Sequence, residues 1–228
     1  MLTVPSAAPE TSTYSAATAP APLRDRRRQA GAFVFVADRL WLDFVNTEQL
    51  RRGTHVDALT DFDALAGWMD AAGVLDAERA GALMRRAGQQ PAGAAAAITD
   101  ARRVRAALRR LAERGAADAQ VRLEALAEIN RILGRSAGTR RVEPRVDGSF
   151  VRSFVAVGDA FAGLLIPIVD SAADALIVGE LARVRRCADS RCSRLFYDGT
   201  RNGRRRWCDM ATCGNRAKAA RHRARWRS

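Results

Sequence analysis

The sequence has little histidine and, through most of its length, no cysteine. Its 228 residues include two histidines and four cysteines, and no cysteine precedes residue 187. No apolar run approaches the ~20 residues that span a bilayer. The first residues show no basic segment followed by an apolar stretch, as a secretion signal would. These absences predict no membrane partner and favour a reducing cytoplasm, where cysteines stay thiols or bind metal.

The sequence motifs of common enzymes are also lacking. We find no nucleophile elbow, P-loop, dinucleotide fingerprint or histidine–carboxylate metal site. His55 has no recognisable partner in the sequence and is expected at the surface. The sequence therefore predicts a protein that is not an enzyme. An enzyme that uses its C-terminal segment as a localising module remains an alternative.

Positive charge is concentrated at the C-terminal end. Residues 183–228 contain 15 arginines or lysines and 3 aspartates, a net charge of +12, whereas the whole chain has a net charge of +13. Only Lys218 is a lysine, which points to GC-rich coding and gives the choice of arginine over lysine little meaning. The concentration of charge in one short segment predicts an anionic partner.

Composition and periodicity divide the chain into three parts. Residues 1–30, rich in Ala, Pro, Ser and Thr, are expected to be a disordered tail. Residues 31–182 are expected to form an α+β domain, mostly helical with a small sheet or hairpin, and residues 183–228 a separate zinc-binding module. In the second part, a strand is predicted at 33–36. A helix is expected to start at Thr60, which forms a capping box with Asp63, and another at Asp76; further helices are expected at 95–114 and 118–133. A hairpin at 141–157 turning at Asp147-Gly148 and a helix at 159–178 that Pro167 kinks or splits complete this part.

The four cysteines fall in two close pairs, Cys187-x4-Cys192 and Cys208-x4-Cys213, separated by fifteen residues. Zn²⁺ takes four tetrahedral ligands, and each pair can supply two of them from one tight turn. Disulfides, an iron–sulfur cluster and plain buried thiols are the alternatives; the cytoplasmic setting disfavours the first and the spacing is not that of common ferredoxins. Four thiolates leave no open coordination position, so one structural zinc ion is expected.

Between the pairs, residues 194–208 are predicted to form a strand, a turn and a second strand. A helix is expected after Cys213. A knuckle, a hairpin and a helix that carries the fourth ligand describe a treble-clef zinc finger. Its basic residues are expected to contact nucleic acid, with most bonds to phosphates; they are Arg201, Arg204, Arg205, Arg206, Arg216, Lys218, Arg221, Arg223 and Arg225. A solvated charged face is the alternative interpretation.

The C-terminal residues resemble the CGNR zinc finger family. The resemblance rests on Cys213-Gly214-Asn215-Arg216, on the two cysteine pairs and on Arg206-Trp207-Cys208, and it covers about residues 183–226. The upstream run LDFVNT, residues 42–47, resembles the signature of the ABATE domain that typically precedes this finger. The resemblance implies a stress-associated bacterial transcription regulator whose finger binds DNA.

The function of residues 31–182 is less clearly indicated by the sequence. A sensor of a small-molecule effector and a homodimerisation unit are both consistent with a transcription regulator. Asp43, Asn46 and Thr47 are polar residues within an apolar stretch, which makes them candidates for ligand binding; bonds to the adjoining backbone are the alternative. Duplex DNA is the expected partner of the finger. An RNA-binding protein of translation or RNA turnover, with Tyr197 or Trp226 stacked on bases, is the main alternative.

Overall fold

The computed structural model describes residues 29–30, 33–51, 53–135, 138–144, 150–156 and 161–226. Helices dominate these ranges, and the strands form small antiparallel pairs, so the predicted α+β class is confirmed. The helices are α1 (Leu40–Val45), α2 (Phe62–Ala71), α3 (Ala77–Gln89), α4 (Pro91–Arg114), α5 (Ala119–Arg135), α6 (Ile166–Ile177) and α7 (Asn215–Arg225). A 3₁₀ turn at Glu180–Arg183 and a π-helical turn at Met210–Gly214 precede the last strand pair and α7, respectively.

Side-chain caps explain where the central helices begin. Asp61 accepts a hydrogen bond from the backbone N–H of Ala64 at 2.8 Å, and Asp76 accepts one from Arg79 at 2.7 Å. An N-terminal carboxylate satisfies a free backbone donor and interacts favourably with the helix dipole. The first cap is therefore Asp61 rather than the predicted Thr60, because the Thr60 hydroxyl donates to the Asp61 carboxylate instead of capping the helix.

Within the described ranges, each strand pairs with a near neighbour in the sequence. The pairs are β1 (Gln29–Ala30) with β2 (Phe33–Val34), β3 (Glu48–Arg51) with β4 (Thr54–Asp57), β5 (Gly138–Pro144) with β6 (Phe150–Ala156), and β7 (Val184–Arg186) with β8 (Leu195–Tyr197). The hairpin expected at 141–157 is present as β5 and β6. Its predicted turn at Asp147-Gly148 lies outside the described residues.

Two further predictions of local structure were wrong. Pro167 does not interrupt a helix, because α6 begins only at Ile166 and places the proline in its first turn, where no backbone N–H is needed. In the C-terminal module, β8 pairs with β7 and not with residues 204–207, which form no strand. The hairpin thus encloses the first cysteine pair instead of lying between the two pairs.

One hydrophobic core joins the N-terminal part to the C-terminal module. Trp68 lies near its centre, with the ring of Phe44 edge-on at 5.2 Å and that of Phe35 at 6.0 Å. The buried set continues through Leu195 and Phe196 of β8 to all four cysteines. Strand β8 packs against α1, and β7 against α4. The module is therefore held by apolar contacts to the rest of the molecule. Within the described ranges, no helix is both long and apolar enough to cross a membrane.

Candidate metal centre and nucleic-acid surface

The first cysteine pair is held by the β7–β8 hairpin. Cys187 follows β7, and its backbone N–H donates to the carbonyl of Arg194 at 2.9 Å. The backbone N–H of Cys192 donates to the carbonyl of Asp189 at 2.8 Å, which closes a tight turn between the two cysteines. The short strands therefore fix both sulfur atoms on one side of the turn.

The second pair lies at the start of α7. Cys213 belongs to the π-helical turn Met210–Gly214, which runs directly into that helix. The Asp209 carboxylate caps the turn by accepting hydrogen bonds from the N–H groups of Ala211 and Thr212, at 3.2 and 3.1 Å. A helix N-terminus stabilises nearby thiolates through its dipole, so the fourth sulfur lies where a metal-bound anion is favoured.

The four sulfur atoms meet at one buried point. All lie within 4.8 Å of one another, and Cys208 Sγ is 3.8 Å from Cys192 Sγ and 3.7 Å from Cys213 Sγ. A tetrahedral zinc ion with Zn–S bonds of about 2.3 Å places its sulfurs about 3.8 Å apart. The observed separations match that value, and they are far too long for disulfides, whose S–S bonds measure about 2.05 Å.

Three of the cysteines shift one another's pKa values. Hydrogen bonding from Cys192 and Cys208 lowers the pKa of Cys187, so one thiolate is accommodated. The hydrogen bond with Cys187 raises the pKa of Cys192 to about 11 and also raises the pKa of Cys208. Cys192 and Cys208 therefore resist ionisation in the absence of a cation. A divalent cation supplies the missing positive charge and favours all four thiolates.

Arg216 contacts both a zinc ligand and the turn that holds the first cysteine pair. Its Nη2 donates to Cys213 Sγ at 2.9 Å, and its Nε donates to Asp189 Oδ2 at 2.9 Å. Asp189 is buried in the turn between Cys187 and Cys192 and also accepts the backbone N–H of Arg191. A tetrathiolate zinc site carries a net charge of about −2, which the guanidinium partly offsets. Arg216 thus links the two cysteine pairs.

Arg205, predicted to contact nucleic acid, is instead committed to the protein interior. Its side chain is 14% exposed, and its guanidinium pairs with Asp38 at 2.5 Å, donates to the carbonyl of Val36 at 3.0 Å, and lies 4.4 Å over the ring of Phe196. The backbone N–H of Arg205 donates to the fully buried Asp198 carboxylate at 2.9 Å. Asp38 and Val36 belong to the N-terminal part of the chain, so Arg205 joins the finger to that part. The structure therefore corrects the prediction that Arg205 contacts nucleic acid.

The polar residues of the LDFVNT run are buried and bonded to protein groups. Asp43 accepts the N–H groups of Val36 and Ala37. Asn46 exchanges two hydrogen bonds with the backbone of Leu195, donating at 2.8 Å and accepting at 2.9 Å. The Thr47 hydroxyl accepts a hydrogen bond from the Arg105 guanidinium and donates one to the backbone carbonyl of Phe44. Arg105 also forms an ion pair with Asp57. Their burial does not require a ligand. No local feature of the sequence indicates that Asn46 faces the C-terminal module.

Further contacts between the N-terminal part and the C-terminal module have no local signal in the sequence. The guanidinium of Arg39 lies 3.9 Å over the ring of Tyr197, and it also pairs at 2.5 Å with Glu180 of its own N-terminal part. The backbone N–H of Leu50 donates to the Ser193 hydroxyl at 2.7 Å. Tyr197 therefore already has one ring face covered, and Phe196 is fully buried. Of Tyr197 and Trp226, the two residues considered for base stacking, Trp226 is the one that is largely exposed, at 79%.

Of the remaining residues of the predicted basic set, those with described side chains are exposed, and together we call them the cationic face. Its members with described side chains are Arg201, Arg204, Arg206, Lys218, Arg221 and Arg223, all exposed. Arg225 also lies in α7, but its side chain is outside the described part. Among the described residues, the ion pairs of the module use Arg191, Arg205 and Arg216 instead. The described side chains of α7 are all exposed except that of Ala217, which is half-buried. A short helix with no buried face gains little stability from packing.

These features define a two-part protein: a mostly helical domain and a C-terminal tetracysteine zinc finger. The model of the ABATE family, described as "Putative stress-induced transcription regulator", matches residues 38–180, and that of the CGNR zinc finger matches residues 183–226. The chain belongs to the ABATE family and ends in a CGNR zinc finger, which holds one structural zinc ion at Cys187, Cys192, Cys208 and Cys213. A comparison with curated proteins found no significant match.

Proposed function

We propose that this protein is a DNA-binding transcription regulator of the reducing cytoplasm, in which the zinc finger contacts duplex DNA and the N-terminal domain serves as a sensor or dimerisation unit. The observation that supports DNA binding most directly is the cationic face. Six exposed basic side chains lie on a small module whose acidic groups are already engaged. Such a surface is expected to displace the counterions of a polyanion.

The placement of α7 agrees with this proposal. The helix begins at the metal site, which fixes its first turn, and then extends with exposed side chains. Lys218 and Arg221 are three residues apart and share a face. A helix of this width fits the major groove, where phosphate contacts position it and one or two arginines can read guanine edges. Bound DNA would also supply the stabilising partner that the helix lacks in the protein.

The salt dependence of binding tests the proposal. About five phosphate contacts predict that log K falls with log salt concentration with a slope of about −4.5 for duplex DNA. The double variant Arg221→Gln/Arg223→Gln should make that slope shallower by about 1.8, because two phosphate contacts are lost. Fluorescence anisotropy with a random duplex at several salt concentrations measures both values.

A matched control separates local contacts from net charge. Arg86 is exposed on α3 in the N-terminal domain, so Arg86→Gln removes a positive charge far from the finger in sequence and should leave the slope unchanged. A wild-type affinity for duplex DNA that does not respond to salt would contradict the proposal. Equal effects of the Arg86 and Arg221/Arg223 substitutions would show that the cationic face is not the contact surface.

RNA binding is the second candidate, and the exposed Trp226 favours it. The indole lies at the end of α7 with its N–H bonded to His222 at 3.1 Å, which leaves the ring available for stacking on an unpaired base. Competition among duplex DNA, duplex RNA and single strands separates the candidates. A preference for single-stranded RNA that is lost in Trp226→Ala would replace DNA by RNA in the proposal.

A further inference from the structure

A cleft of about 490 Å³ lies between the finger and the N-terminal domain. Its volume is in the range of small-molecule sites. One wall is apolar and comes from the N-terminal domain, through Val34, Val36, Leu50 and Val56. The opposite wall comes from the finger and contains three arginines, Arg191, Arg194 and Arg216, close to the metal ligand Cys192. The two domains thus contribute different chemistry to one cavity.

The three arginines differ in how their charges are satisfied. Asp189 pairs with both Arg191 and Arg216, at 3.4 and 2.9 Å. The Asp209 carboxylate, which also lines the cleft, is engaged by the backbone N–H groups of the turn before α7. No carboxylate of the described residues pairs with Arg194, and its buried Nε has no hydrogen-bond partner. A buried donor without an acceptor is costly, so an acceptor placed beside Arg194 would be stabilising.

The surroundings of Arg194 restrict what that anion can be. Leu50 is 45% exposed beside the cleft, and three valines extend the apolar wall. Apolar surface opposite an unpaired guanidinium suits a molecule with an oxyanion at one end and an apolar group at the other. A polynucleotide presents many phosphates but little apolar surface, and the cationic face offers it exposed arginines without an apolar wall.

We propose that this cleft binds a small organic anion, whose carboxylate or phosphate group pairs with Arg194 and whose apolar portion packs on Leu50 and the adjacent valines. The ligand would contact both domains beside existing links, the Leu50–Ser193 and Asn46–Leu195 hydrogen bonds. It would therefore favour the docked position of the finger. Any effect on DNA affinity rests on the proposed function, whereas ligand binding itself does not.

The test uses the zinc-loaded full-length chain and two probes that share an apolar ring, benzoate and phenyl phosphate. Amide chemical shifts of Leu50, Val56 and Arg194 should change saturably by ¹H–¹⁵N NMR, with a dissociation constant on the order of 1–10 mM for such small probes. Benzamide, which has the ring without the charge, should bind at least about tenfold more weakly, since it cannot form the charge-assisted pair.

Two substitutions locate the binding. Arg194→Gln should weaken binding of the probes at least about tenfold, since it removes the charged partner. Leu50→Glu changes a partly exposed side chain on the opposite wall and should also weaken it, through charge repulsion. Arg223→Gln, on the cationic face, is the matched control and should leave binding unchanged. Spectra of the free variants report whether each is folded, and Leu50→Glu tests the site independently of Arg194.

Binding of only one of the two probes supports the site and shows whether it prefers a carboxylate or a phosphate. Inorganic phosphate that produces the same shifts with the same affinity would overturn the role of the apolar wall. Unchanged binding in Arg194→Gln and Leu50→Glu, or no saturable shifts with either probe, would overturn the site. If the probes bind but salt-dependent DNA binding is absent, the proposed function fails and the cleft remains.

Discussion

Serine in place of Cys208 is expected to leave the chain without a tightly held zinc ion and to unfold the segment from Cys187 through α7. The cysteine is fully buried, and its sulfur lies within 4 Å of two others. A hydroxyl is a poor zinc ligand, and structural zinc contributes on the order of 10–16 kcal/mol to the folding of such modules. The short strands β7 and β8 and the exposed α7 cannot replace that contribution.

Metal analysis of protein purified under reducing conditions provides the measurement, with one zinc per wild-type chain expected. Amide hydrogen exchange should show lost protection in the finger of Cys208→Ser, while α4 and α5 of the N-terminal domain stay protected. Ala211→Ser is the matched control, because it adds a hydroxyl to an exposed residue of the same turn and keeps all four sulfurs. A finger that retains its protection after chelation of the metal would rule out this explanation of its stability.

The metal site was predictable from the sequence because its ligands are few and closely spaced. Two short cysteine pairs in a chain with no other cysteine admit few chemical explanations. The helices were predictable for a related reason, since the periodicity of apolar residues and the caps are local properties. The helices α4 and α5 accordingly lie close to their expected ranges, 95–114 and 118–133.

The contacts between the finger and the N-terminal domain were not predictable, because they join residues far apart in sequence. Leu195 is 149 residues from Asn46, and Arg205 is 167 residues from Asp38. A run of basic residues such as Arg204–Arg206 looks uniform in the sequence, yet its middle member is turned inward, towards Asp38 and the ring of Phe196. The second strand expected within residues 194–208 is absent for the same reason, since local composition does not specify the partner of β8.

The structure assigns the LDFVNT run a role that can be measured through Asn46. Its side chain is buried and satisfies both backbone groups of Leu195. In Asn46→Ala both groups lose their partner, at a cost of about 1–3 kcal/mol for each buried polar group left unsatisfied. The free energy of unfolding should therefore fall by about 2–6 kcal/mol in urea titrations. Gln49→Ala, a nearby polar substitution, is the control and should have a much smaller effect.

A double-mutant cycle shows whether this loss arises between the domains. If Asn46 acts by holding the finger, its substitution should cost little in the Cys208→Ser background, where the finger is already unfolded and Leu195 is bonded to water. The losses of unfolding free energy in the two single variants would then not add in the double variant. The coupling energy between the two sites would be about as large as the whole effect of Asn46→Ala. Strict additivity would instead place the role of Asn46 within the N-terminal domain. Non-additivity would mean that the ABATE signature and the zinc site stabilise one shared interface, so that metal loss also changes the state of the N-terminal domain.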